Sequence, residues 1–101
     1  MTAGDPFFFG GAMNISQLEY LVSAIHLGSY SRAAKGQFVT PQAVSKAIRT
    51  LESELGLKLI LSSGKTILPT DVGLLIAEEA EAVIHHADRI GSIASSHRLR
   101  I

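Results

Sequence analysis

Two short helical patterns meet across a tight turn between Ser29 and Gly56, and no other part of the chain constrains the fold as much. In the first pattern the pair Ala33-Ala34 leaves room for another helix to approach closely. Thr40 then offers an N-cap oxygen, and Pro41 follows at the first helical position, where a missing N–H costs nothing. Val44, Ile48, Leu51 and Leu55 recur at helical spacing behind it, a stripe to be buried, and Gly56 closes the helix. Its other face carries Gln42, Ser45, Lys46 and Arg49.

The rest of the chain frames this pair as one small, mainly α domain. A length of 101 residues suits a single domain with a modest core. The hydrophobic share of 47% excludes wholesale disorder. Nine basic and nine acidic residues cancel, but they are not mixed. From Ser31 to Lys65 stand Arg32, Lys35, Lys46, Arg49, Lys58 and Lys65 against Glu52 and Glu54, six minus two, or +4. From Thr66 to Asp88 stand Asp71, Glu78, Glu79, Glu81 and Asp88 with no Lys or Arg. A basic half and an acidic half point to separate jobs. With no cysteine, disulfides and thiolate metal sites are excluded, and a reducing, cytoplasmic setting is expected. No run approaches the roughly 20 apolar residues of a membrane span.

Four segments are expected. Residues 1–12, with Phe7-Phe8-Phe9 among glycines and Pro6, read as a flexible extension or cloning leftover; Met13 is a second plausible start. Residues 13–69 hold three helices and a two-stranded hairpin. The first helix is capped by Asn14 or Ser16, runs on Ile15, Leu18, Val22 and Ile25 with Leu21 alongside, and ends at Gly28. The second spans Ser31 to about Gln37, with Ser31 a rival cap. Phe38 and Val39 are expected to plug the core. Leu57 to Leu61 and Thr66 to Leu68 read as strands joined by a Ser62-Ser63-Gly64-Lys65 loop, and Pro69 breaks the second. Residues 70–95 form a long helix started by Thr70 and Asp71, and 96–101 a frayed tail. On that helix Ile76, Ala80, Val83, Ala87, Ile90 and Ala94 repeat in a heptad-like seam, more apolar surface than one small domain can cover, so a second copy is expected to bury it.

These residues resemble the N-terminal DNA-binding domain of LysR-type transcriptional regulators, over about Met13 to Ile90. The resemblance is carried by the Leu18 to Val22 segment, Gly28-Ser29-Tyr30, Ala33-Ala34, Val39 through Ser45, Ile48, Leu51-Glu52, Leu55-Gly56, Leu59 and Thr70 through Gly73. It implies a winged helix-turn-helix followed by a linker helix that pairs two subunits. It also implies an effector-binding domain beyond the linker, and a small-molecule inducer enters only if such a domain exists. The chain departs from the family at Ile60 and Ser62, where Phe and Arg are usual, and at Pro69, where Leu is frequent. Lys65 is then the remaining basic group of the wing. The winged-helix domain of molybdate-responsive regulators shares this architecture and stays open.

The chemistry suits double-stranded DNA. A Gln42 amide can make paired hydrogen bonds to adenine, while Pro41 and Ala43 offer apolar surface to a thymine methyl. Ser45 and Lys46, within the next turn, complete the base-reading candidates. Arg49, Thr40 and Lys65, with Ser29, Ser31 and Arg32 at the start of the second helix, are the phosphate candidates. Ile76, Ala80, Val83, Ala87 and Ile90 are the dimer candidates. The expected function is a dimeric, sequence-specific transcription regulator reading an interrupted inverted repeat. The alternative is a winged-helix interaction or dimerisation module without DNA binding, motivated by the neutral total and the depleted wing. Glu81, His85 and Asp88 share one helical face with His86 adjacent, a pattern read as a solvated face rather than a metal site. His26 and His97 look isolated. No nucleophile, base and orienting acid assemble, so neither enzyme chemistry nor a cofactor is expected.

Overall fold

The computed structural model describes residues 13–98, and the expectations for residues 1–12 and 99–101 lie outside them. Its elements run α1 (Ile15–Leu27), α2 (Tyr30–Gln37), α3 (Pro41–Leu55), β1 (Ile60–Ser63), β2 (Thr66–Pro69) and α4 (Asp71–Arg98). Helix α1 sits centrally and packs on α2, α3 and α4. Leu18, Leu21 and Ala24 of α1 meet Ala33 and Ala34 of α2 and Val44, Ile48 and Leu51 of α3, with Leu59, Ile60 and Ile67 closing the core from the hairpin. The α3 stripe lands as its spacing predicts, with Leu55 half-buried at its end.

Local chemistry starts each helix. Asn14 Oδ1 accepts the Gln17 N–H at 2.9 Å while Gln17 Oε1 accepts the Asn14 N–H at 2.9 Å, a reciprocal cap that satisfies two otherwise unpaired donors. Asn14, not Ser16, is therefore the cap of α1. Ile15, expected in the buried stripe, is exposed, because the face of α1 turned inward is centred on Leu18, Leu21 and Ala24. Helix α2 starts earlier than its polar sequence indicates. Ser29 accepts the Arg32 N–H at 3.2 Å, so the helix opens at Tyr30 and Ser31 lies within its first turn.

Phe38 overturns its expectation as a core plug. It closes α2 in the left-handed region at φ 58°, and that turn sends its ring outward to 94% exposure. Val39 takes the inner place against the core. The hairpin also differs in its bounds. Leu57 and Lys58 precede the first strand, and Ser62 and Ser63 pair with Ile67 and Thr66, leaving a turn of only Gly64 and Lys65. Gly64 turns the chain at φ 62°, where glycine carries no Cβ penalty. Pro69 ends β2 opposite Ile60 rather than interrupting it.

Helix α4 runs beyond Ser95 to Arg98, so the expected frayed tail begins in helix. Its first half lies on the domain through Gly73, Ala77 and Ala80, while from Asp88 to Arg98 every residue is exposed. This divides the expected seam. Ile76 packs against the chain's own core, and Ala80, 2% exposed, is buried in it. Ala80 is thus taken up by the chain's own core, and Ile76 is half-buried against it. Val83, Ala87 and Ile90 stay accessible and, with Ile15, Glu79, Ala82 and His86, line an open groove of 550 Å³.

Candidate nucleic-acid interface

The first turn of α3 is fixed from both sides of its cap. Thr40 Oγ1 accepts the Ala43 N–H at 3.1 Å, and Pro41 supplies the next residue in helical geometry. With Val44, Ile48 and Leu51 held in the core, rotation of the helix about its axis is settled. Pro41, Gln42, Lys46 and Arg49 are then exposed, and Ala43 and Ser45 half-buried. Thr40 is exposed too, and its hydroxyl oxygen serves the cap.

Ser45 and Arg49 are brought together one turn apart. Arg49 Nη1 donates to Ser45 Oγ at 2.9 Å, which narrows the range of the guanidinium while leaving its other donors outward. Of the phosphate candidates, Ser31 and Arg32 are exposed at the start of α2, whereas the Ser29 oxygen already accepts within the cap. Lys65 is exposed at the hairpin tip. The outer face of the hairpin carries Leu61 and Leu68, directly paired and both exposed.

Sequence reasoning missed three residues. Tyr30 is half-buried beside the site; burial first, and then the Glu52 carboxylate, push its phenol above the ordinary value, with Arg49 opposing. Glu52 leaves α3 to accept the N–H groups of Leu59 at 2.8 Å and Ile60 at 3.3 Å. Neither contact has a short-range sequence signal, since each needs the chain to reverse. His26, read as isolated, meets Glu81 at 2.6 Å across α1 and α4. Glu81 thus turns to His26, and among the described residues no three His, Asp or Glu side chains gather as metal ligands.

Residues 15–74 match the family described as bacterial regulatory helix-turn-helix protein, lysR family. The chain belongs to this family. It is 37% identical over 83 residues to a hydrogen peroxide-inducible genes activator of Pectobacterium carotovorum subsp. carotovorum, covering 82% of this chain and 28% of that protein. It is 30% identical over 77 residues to the nitrogen assimilation regulatory protein nac of Escherichia coli (strain K12), covering 76% and 25%. The chain thus spans little more than a quarter of the curated relatives it matches. The fold is similar to that in the crystal structure of a CbnR_DBD-DNA complex, with TM-score 0.78 and 27% identity over 84% of this chain and 98% of that one. It is also similar to full-length OxyR C199D from Pseudomonas aeruginosa, with TM-score 0.80 and 28% identity over 83% and 28%. In lysR-family terms α2 and α3 form the helix-turn-helix and the hairpin is the wing. These relatives are regulators, not enzymes. Among the described residues no helix is long and apolar enough to cross a membrane.

Proposed function

We propose that this lysR-family chain is the DNA-binding part of a transcription regulator that acts on double-stranded DNA in the cytoplasm. The observation that carries the reading is the outward face of α3. Burial of Val44, Ile48 and Leu51 leaves Pro41, Gln42, Lys46 and Arg49 exposed along one side. That side offers an amide for adenine, apolar surface for a thymine methyl and cations for phosphate or guanine. Arg32, Ser31 and the free N–H groups at the start of α2 hold the backbone beside it. The similar CbnR domain is a protein solved with DNA, which supports DNA as the partner.

Two copies join through the open part of α4, with Val83, Ala87 and Ile90 as the remaining seam. A two-fold pair presents two α3 helices, so its operator is an interrupted inverted repeat. Selecting bound sites from random duplexes tests binding, symmetry and spacing together. The expected product is an inverted repeat whose retention falls steeply with salt. Gln42→Ala is expected to cost about 1–3 kcal/mol at its own base pair, measured by titrating operator and scrambled duplex; equal loss on both removes Gln42 from the base readers. A pool from which no duplex is retained at low salt refutes the reading as a whole.

A further inference from the structure

A carboxylate on the reading helix poses a problem. Glu52 follows Arg49 on α3, in the basic half of the chain, where a negative charge opposes the approach of a polyanion. It is also poorly compensated by cations. Among the described residues its one ion pair is to Lys58 at 3.7 Å, and the lysine side chain is 64% exposed against 11% for Glu52. With its cation largely in solvent at that distance, the pair contributes little. What satisfies the carboxylate is backbone: Oε2 accepts from the N–H of Leu59 and from that of Ile60. Hydrogen bonds to an ionised acceptor are the strong class.

These two amides lie where the wing begins. The same short segment is also held by Thr70, which immediately precedes α4. Thr70 Oγ1 donates to the Lys58 carbonyl at 2.7 Å, the Thr70 N–H donates to the Leu59 carbonyl at 2.9 Å, and Thr70 Oγ1 accepts the Gly73 N–H at 2.9 Å. Gly73 lies so near the Leu59 carbonyl that a Cβ there would stand 2.1 Å from its oxygen. The Lys58–Ile60 segment is thus clamped between the reading helix and the linker helix. The body of the wing is anchored further by Ile60 and Ile67 in the core and by the Ile67 N–H donating to the Gly28 carbonyl at 3.2 Å, while its tip carries the exposed Lys65.

The geometry points to Glu52 as a positioning residue for DNA recognition, one that ties the base of the wing to α3 so that Lys65 and the α3 side chains engage a single duplex. This rests on the DNA-binding reading above. Glu52 touches no nucleic acid itself. It acts through the Leu59 and Ile60 amides, and its charge is tolerated because these amides need an acceptor that reaches from α3.

Two variants separate this role from simple electrostatics. Glu52→Gln keeps the length but removes the charge; Glu52→Asp keeps the charge but shortens the reach by one methylene. A merely unfavourable acid predicts tighter operator binding for Glu52→Gln and no change for Glu52→Asp. Positioning predicts weaker binding for both, on the order of 3–10-fold, with the full 101-residue chain titrated by fluorescence anisotropy on its selected operator. Because coupled sites are non-additive, adding Lys65→Ala to Glu52→Asp should cost little more than Lys65→Ala alone. Adding Arg32→Ala should multiply the two losses. Circular dichroism confirms that each variant is folded. Unchanged or tighter binding overturns the proposal, as does an additive Glu52–Lys65 cycle, and so does loss of fold in both variants, which would make Glu52 a folding residue. If the unaltered chain retains no duplex, the DNA-binding reading itself fails, an outcome distinct from these.

Discussion

Two glycines of α4 make opposite demands, and substituting each by alanine tests how tightly the wing base is held. An ideal Cβ on Gly73 lies 2.1 Å from the Leu59 carbonyl oxygen, 3.0 Å from its carbon and 3.1 Å from Thr70 Oγ1. Ordinary contact begins near 3.4 Å, so the groups must part by about 1.3 Å. Leu59 cannot yield freely, since it is fully buried, its N–H serves Glu52 and its carbonyl accepts from Thr70. Overpacking costs about 1–3 kcal/mol, and leaving a buried partner unsatisfied costs a further 1–3 kcal/mol or so. Better helix propensity returns about 1 kcal/mol. Gly73→Ala is therefore expected to destabilise by roughly 3 kcal/mol, a large part of the 5–15 kcal/mol typical of folded domains. At Gly91, in the same helix, nothing lies within 4 Å of the added Cβ. Gly91→Ala should instead gain up to about 1 kcal/mol. Urea unfolding followed by circular dichroism measures both. A Gly73→Ala variant as stable as the unaltered chain would refute the clamp, because propensity alone would then govern both sites.

Three further outcomes are expected. Ile90→Glu, at a site 68% exposed, should keep the fold but give monomers in sedimentation, whereas Ala80→Glu should unfold the domain because it places a charge in the core; a folded, monomeric Ala80→Glu would return that residue to the seam. Phe38→Asn should raise stability by about 1 kcal/mol, since asparagine tolerates the left-handed region and the exposed ring gives up little contact; an unchanged or lower melting temperature contradicts this. Tyr30 in a Tyr20→Phe background should ionise above the ordinary 10.0, followed by phenolate absorbance. Its folded value is raised, so the stability it contributes is intact below pH 10 and is lost as the pH climbs through the raised value.

How far the sequence discloses this domain follows from the range over which each signal acts. Thr40, Pro41, Gly28 and Gly56 act within one helical turn, and all four stand where the pattern puts them. The α3 stripe is equally legible, because periodicity fixes a face without reference to the neighbour that covers it. The failures are choices among neighbours. Hydrophobicity alone places Phe38 inside, but a left-handed turn aims it outward. The heptad pattern on α4 marks an apolar face, yet it cannot say which part lies on α1 and which remains open, so it groups Ile76 and Ala80 with Val83 and Ile90. Glu52 reads as a surface acid until the chain folds back and delivers the Leu59 and Ile60 amides to it. The α3 candidates are legible for the same reason as its core: the buried face determines the opposite one.

Net charge misleads about the interface for a related reason. The +4 segment from Ser31 to Lys65 contains α3 and most of the wing, while the five acids from Thr66 to Asp88 lie on α4 apart from it. Close to a duplex the interaction is set by charges within about a Debye length, near 8 Å at physiological salt, so the local segment and not the sum governs contact. On the proposed reading, the acids favour a single orientation, with α3 toward the phosphates and α4 away. The same cancellation leaves little long-range attraction to arbitrary DNA, since charge summed over the molecule governs non-specific pull. Discrimination must come from close contacts, and the α3 side chains can make them only while the core and the Lys58–Ile60 clamp hold that helix and the wing in register.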